Sequence, residues 1–550
     1  MGAAAGDAVL DRLRGLGLGC DLRGLRFPEA QVVGPGRGRR PTRKAMLGNL
    51  FYVYGSEAKL APPVDWRQDP EESRSWRYEL HTLTWLKEAL ARHAEGGDVE
   101  TLAVARDLVL DWARTHLRSK QEQSEFAWYD MAVGLRAPYI GYVLRACLAE
   151  ETLADDDAEL LLEAAERHGA ELADGGNYAA GNNHGLFQDE GLYLLARQLP
   201  TMPAATAWRE LALSRMKSTL KASVSFADGA HLEHSPAYQF AIVDLVARLA
   251  SNVSELPELN GLLERMRRTA AWQTTPAGRM AQLGDTDDLP APQWARETAS
   301  NLRGIHFLRE AGQAFVREGD SYLAVTAAYH SAAHKHADDT GFLLVEGGQT
   351  MVGDAGRWGY YEEEPDRVYA RSAAAHNVLT VDGRDFDWRN AEPYGSGLKA
   401  AGEGDSWYVI GVRNPLLARQ GVDHRRVFLY RPGKTLLILD QAHSAKEREY
   451  IRHLHFGPGL ELALDGGNRI AITGRGTAAA LIDLTEGSEI NMVHGHEEPH
   501  FGWTYPGDRE RNEVWTARLR SYSKDATMVT ALSIDGKPID DLPGKIQGYL

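Results

Sequence analysis

Four polar stretches carry the residue types that proton chemistry needs. In "GNNHG" (residues 181–185), Asn182, Asn183 and His184 stand immediately before an apolar, helix-like run. An amide can hold a carboxylate without titrating, and a histidine beside it can move a proton near neutral pH. A helix cap with an incidental histidine accounts for the same letters. In "HLEHSPAY" (231–238), Ser235 and Pro236 read as a helix start that puts Tyr238 on the first turn, after His231, Glu233 and His234. Its phenol can act as acid or base, or simply be half-buried with one hydrogen bond. In "HKHADD" (334–339), residues two apart on an extended segment share a face, so His334 and His336 can point into one pocket. One histidine of this segment, with Asp354 in "GDAGRWGY" and His376 in "HNVLTVDG", offers the three N/O donors of a zinc site with one position open, or a polar network without metal. The aspartates of "GDTDD" (284–288) read as a turn that hydrogen-bonds neighbouring loops, since the spacing does not match a calcium loop.

The elements that must position these groups change in kind along the chain. From about residue 76 to 315 apolar residues recur at helical spacing, as in Leu80, Leu83, Leu86 and Leu90, then Leu102, Ala105, Leu108, Val109 and Trp112. Further helical segments are expected near 130–149, 156–173, 185–198, 205–224, 237–254 and 257–273, joined by short linkers that suit antiparallel hairpins. Beyond about residue 320 short β-branched runs bounded by turns take over, such as "GFLLVEGGQTMVGD" and "RRVFLYRPGKTLLILD". The expected fold is therefore multidomain α and β, an incomplete α/α toroid over 1–320 followed by an antiparallel β-sandwich over 321–550.

A chain of 550 residues, 43% hydrophobic and 25% charged, is long enough for two or three folded domains. No run approaches the roughly 18–20 apolar residues of a membrane span. The beginning lacks a signal-peptide pattern, and only Cys20 and Cys147 are present, so the expected compartment is a reducing cytoplasm. A periplasmic or secreted location is the alternative if a leader has been trimmed. The net charge of −16 argues against nucleic acid as a partner. One basic cluster, "GRGRRPTRK" (36–44), is a solvated loop or a contact for an anion.

The order of these motifs across the architectural change, over about residues 75–460, resembles the heparinase II/III-like polysaccharide lyases, which include heparan-sulfate and oligoalginate lyases. The resemblance implies β-elimination at a uronic acid. Asn183 with His184 would neutralise the uronate carboxylate. Tyr238 would protonate the leaving O4, and for some epimers also remove the C5 proton. His334 would be the alternative base on the face opposite the tyrosine. Asn182, Glu233, His234, Tyr360 and Arg371 would contact substrate. His336, Asp354 and His376 would bind zinc, which would organise the β side of the cleft, and no organic cofactor is implied. The expected partner is an anionic uronate-containing glycan or oligosaccharide, attacked from its end; no nucleic acid or membrane is expected, and a homo-oligomer is left open. Two rivals are a non-catalytic glycan-binding protein of capsule metabolism and a glycoside hydrolase. The hydrolase would recruit Glu233 and Asp285 as a carboxylate pair but leave "NNH" and "HKH" unexplained.

Overall fold

The computed structural model describes Leu13 and residues 40–118, 122–404, 406–474 and 476–537. The chain start, Cys20 and residues 36–39 of the basic cluster lie outside the described residues. The chain forms two compact units: one from the described residues of Met1–Ser223 and Asp244–Pro257, the other from Val224–Val243 and the described residues of Glu258–Leu550. Helix Pro236–Asn252 is thus shared, its first half in the second unit and its second half in the first.

The first unit is helical, and its helices begin where side chains can cap them. Ser73 accepts from Trp76 N–H at the start of Arg74–Thr82, and Asp98 accepts from Thr101 N–H at the start of Val99–Ala113. The long helices that follow, Asp130–Ala149, Asp155–Ala173, Asn183–Gln198 and Ala205–Ser223, agree with the helical spacing. The stretch around Leu83 departs from it. Leu83 takes a left-handed conformation (φ 57°), and the run expected to be continuous breaks into Arg74–Thr82, a short 3-10 turn Thr84–Leu86 and Lys87–Gly96. The periodicity survives because Leu80, Leu83, Leu86 and Leu90 are all buried.

Helices Asp130–Ala149 and Asn183–Gln198 lie unusually close. A Cβ on Gly134 would stand 2.6 Å from the Phe187 carbonyl oxygen, and one on Gly191 would stand 2.1 Å from that of Gly134. Farther on, Gly141 faces Leu195 and Gln198, so the two helices run in the same direction and their N-terminal ends are neighbours.

The second unit is built on antiparallel sheets. Strands Gly304–Leu308, Gln313–Glu318, Ser321–Thr326, Gly341–Glu346 and Gln349–Val352 pair in that order into a five-stranded sheet. A ten-stranded sheet is organised around two long strands, Thr435–His455 and Trp515–Ser533, which pair with each other. Alternate residues from both sheets meet in one core: Val316, Leu323, Val325 and Leu344 face Ile410, Phe428, Ile438 and Leu519. The strands of the two large sheets therefore begin at Gly304, earlier than the expected boundary at 320, and the second unit also takes in Val224–Val243 from the helical part of the sequence. That small excursion pairs Val224–Ser225 with Ala230–His231 and delivers the "HLEHSPAY" segment to the β unit. Sequence periodicity reports local structure, so it does not reveal that exchange.

Candidate active site

In the first unit, Asn182 is the helix cap: its Oδ1 accepts from His184 N–H (2.9 Å) and Gly185 N–H (3.3 Å). Capping therefore occupies the Asn182 amide oxygen and leaves its donor, the Nδ2 amide nitrogen, outside the cap. Asn183 and His184, both half-buried, are relieved of that duty and open the helix. His184 is held by its ring: Nδ1 lies 3.1 Å from Asp130 Oδ2, with the Tyr129 ring edge-on at 6.1 Å. The glycine that follows is required by packing. A Cβ on Gly185 would stand 2.3 Å from the Ala179 carbonyl oxygen, so only glycine lets the preceding loop lie against this helix start.

In the second unit, Pro236 opens its helix as expected, and Ser235 Oγ ties that start to the Asp285 carbonyl (2.9 Å). Tyr238 on the first turn shares a 2.6 Å hydrogen bond with the Tyr360 hydroxyl. Its ring stacks on His334 with centroids 3.8 Å apart and planes 27° from parallel. Burial and the neighbouring Tyr360 phenol push the Tyr238 hydroxyl well above its ordinary range, so it holds its proton at neutral pH. Tyr360 keeps 45% of its surface exposed, with the Arg357 guanidinium 4.8 Å over its ring and Arg357 paired to Asp287.

The centre of this cluster is Asp285, which the sequence presented as part of a turn and as one half of the rival hydrolase pair. Its fully buried carboxylate accepts from His334 Nδ1 (2.9 Å), His336 Nε2 (2.7 Å) and Arg367 Nη1 (2.5 Å) and Nη2 (3.2 Å). Burial opposes its ionisation, but His336, His334 and Arg367 together hold it well below the usual carboxylate range. His334 and His336 do converge, though for a different reason from the one expected. The segment is a turn with His334 in a left-handed conformation (φ 54°), and the shared carboxylate gathers the two rings. The stacked contact also departs from the expectation that His334 faces Tyr238 across the substrate, because rings 3.8 Å apart leave no room for a sugar between them.

The other expected contact residues are spent inside the protein. His234 is buried, its Nε2 accepting from His330 N–H (2.9 Å), and burial with nearby Lys335 keeps it well below the usual imidazole range. Arg371 is buried against Glu362 and the Trp388 ring. Glu233 is buried with Oε2 3.6 Å from His334 Nε2 and without a hydrogen-bond partner. It borders His334 and is not open to solvent. As a hydrolase pair, Glu233 and Asp285 would be poorly placed: one is enclosed and the other saturated by hydrogen bonds from His334, His336 and Arg367.

At the expected metal site, His376 Nδ1 meets Asp354 Oδ2 at 2.9 Å, and the His336 and His376 rings lie 5.2 Å apart. His336 Nδ1 and His376 Nε2 are buried without hydrogen-bond partners, a state that a bound ion would relieve. The donor types suit zinc. Among the described residues no group of three or more His, Cys, Asp or Glu side chains is drawn together as an ion-holding set. A cavity of about 560 Å³ borders the same segment, lined by Gln282, Thr350, Asp354, Trp503 and Asn512; Tyr238, His334 and Tyr360 are not part of its wall.

Arg357 and Arg367 were not singled out as site residues by sequence, and Asp285 entered only as a hydrolase carboxylate. Their one signal was charge: the three aspartates of "GDTDD" needed cations, and the acidic stretch "EEEPDRVYAR" carries Arg367 within its helix and Arg371 just after it.

Comparison with known proteins agrees with this architecture. The model for the heparinase II/III N-terminus matches residues 40–289, and that for the heparinase II/III-like C-terminal region matches residues 300–536. No curated protein matches the chain in sequence. Among solved structures, a heparan sulfate lyase from Pedobacter heparinus superposes with a TM-score of 0.69 at 18% identity, covering 97% of this chain and 88% of that one. A heparinase III structure gives a TM-score of 0.72 at 14% identity, covering 97% and 93%. At such identities these structures speak for the fold, an α/α toroid with an antiparallel β-sandwich. With both family regions matched in order over nearly the whole described chain, the protein belongs to the heparinase II/III-like family.

Proposed function

We propose that this protein is a polysaccharide lyase that cleaves uronate-containing glycans by β-elimination. The observation that carries this reading is Tyr238: a protonated phenol at a helix start, hydrogen-bonded to Tyr360 and stacked on a histidine held by a buried carboxylate. In the reaction the C5–H bond breaks, the electron pair forms the C4=C5 double bond, and the C4–O bond breaks with a proton delivered to O4. A protonated tyrosine suits that last transfer, and an imidazole beside it suits the first. Asn183 and His184, in the first unit, are of the type that neutralises the carboxylate and so stabilises the enolate-like charge.

The stacked contact of Tyr238 and His334 supports a finer reading. Acid and base on the same side favour a uronate whose C5 hydrogen and O4 lie on one ring face, as in D-glucuronate, over one with opposite faces, as in L-iduronate. A net charge of −16 gives no general means of gathering a long polyanion, which supports short oligosaccharides and release from the chain end. Zinc at His336, Asp354 and His376 is also part of the proposal, supported by the two orphaned ring nitrogens; an ion there would fix the loop beside the site. The test is incubation with glucuronate- and iduronate-containing oligosaccharides followed by ultraviolet absorbance of the unsaturated product. Reducing ends released without that absorbance would indicate a hydrolase.

A further inference from the structure

We propose that Asp130 is a positioning residue: it holds the His184 imidazole by Nδ1, so that Nε2 is the nitrogen offered to an anionic group of the ligand. The identity of that ligand, a uronate, rests on the lyase reading above; the positioning rests on the geometry of the first unit alone.

Both partners are fixed before they meet. Asp130 is the first residue of its helix, with Oδ1 taking the Met131 N–H at 2.5 Å and Oδ2 left for His184. His184 is the second residue of its helix, its own N–H tied to the Asn182 cap. The two helices run in the same direction and cross at Gly134 and Gly191, where any side chain would collide with backbone. That crossing sets the spacing of the two N-terminal ends and therefore of the Asp130–His184 pair. Burial works against the charge on Asp130, but the His184 hydrogen bond, the Met131 N–H and nearby Arg74 keep it a carboxylate.

A carboxylate only accepts hydrogen bonds, so the Nδ1 facing it must carry the hydrogen. Nε2 then lies on the far side of a ring that keeps 31% of its side-chain surface exposed. An approaching carboxylate would take a hydrogen bond from Nε2–H of the protonated ring, with Asp130 stabilising the opposite nitrogen. Without Asp130 the ring would be free to rotate or to adopt the other tautomer, and Nε2 would no longer be held for the ligand.

The test is nitrogen-15 histidine NMR of the full-length protein, with the His184 signal assigned by His184→Gln and methyl β-D-glucuronide as an uncleavable probe. Wild-type protein is expected to show the Nδ1–H form and a probe-induced shift of His184 Nε2. Asp130→Asn is expected to lose both while keeping its fold by circular dichroism, and to lower kcat/KM on a cleavable glucuronide oligosaccharide by at least about tenfold. Asp130→Glu should restore part of each. A neutral Nε2–H form in the wild type would overturn the proposal. So would an Asp130→Asn protein that keeps the Nδ1–H form and the full probe response. Should the wild type cleave no glycan at all, the lyase reading fails, while the tautomer and the probe response still decide the role of Asp130.

Discussion

Replacing Asp285 by asparagine removes one charge and puts an N–H₂ group where two cation-like donors now converge. In the native arrangement its two oxygens serve His334, His336 and both terminal nitrogens of Arg367, all at 2.5–3.2 Å and out of solvent. Breaking a buried charge pair by removing one partner typically costs about 3–5 kcal/mol, because the other charge is left uncompensated. Arg367 keeps the Arg357 carbonyl at 3.0 Å and a long contact to Glu362 at 3.4 Å, so the lower end, about 3 kcal/mol, is the expected loss. Urea unfolding should show this as a lower midpoint without a change of slope. The folded variant should also lose turnover, since His334 would no longer be held by Nδ1. A loss below about 1 kcal/mol with unchanged kcat would refute the reasoning that Asp285 organises the site.

Three further outcomes are expected. Tyr238→Phe should fold normally and reduce kcat by about 100-fold to 10,000-fold with substrate binding kept; retention of more than about a tenth of wild-type kcat would exclude general acid catalysis by this phenol. Burial pushes the Asp189 carboxyl up to about 8, above its unfolded value near 4, so the folded state holds an extra proton between these limits and loses stability as pH rises towards about 8. Asp189→Asn should therefore gain melting temperature relative to wild type progressively from pH 5 to 8 and level off beyond; a constant difference over that range would contradict it. Metal analysis of gently purified protein should find zinc, and its removal should lower thermal stability; a metal-free, fully active preparation would withdraw the ion.

The long helices and most strands were legible because their burial follows a local period, and "HSPAY" announced its own helix start. The break at Leu83 was not, since a left-handed leucine leaves the apolar spacing intact. Among the candidate residues of the two units, the types at Tyr238, His334 and His184 could be read, but not the tasks of their neighbours. Asn182 and Asn183 are adjacent amides, and only the backbone decides which one caps. His234 and Arg371 look like ligand contacts in a sequence, whereas burial commits them to His330 and Glu362. Asp285 was the hardest to see: its role arises from groups 49 to 82 residues away along the chain, a separation no local pattern records.

The central claim, β-elimination driven by Tyr238, is tested most directly by one comparison. Wild-type and Tyr238→Phe proteins are incubated with a glucuronate-containing oligosaccharide, and ultraviolet absorbance of the unsaturated product is followed in time. A steady rise is expected for the wild type, and a rate at least about 100-fold lower for the variant. Equal rates, or cleavage by the wild type without any rise in absorbance, would contradict it.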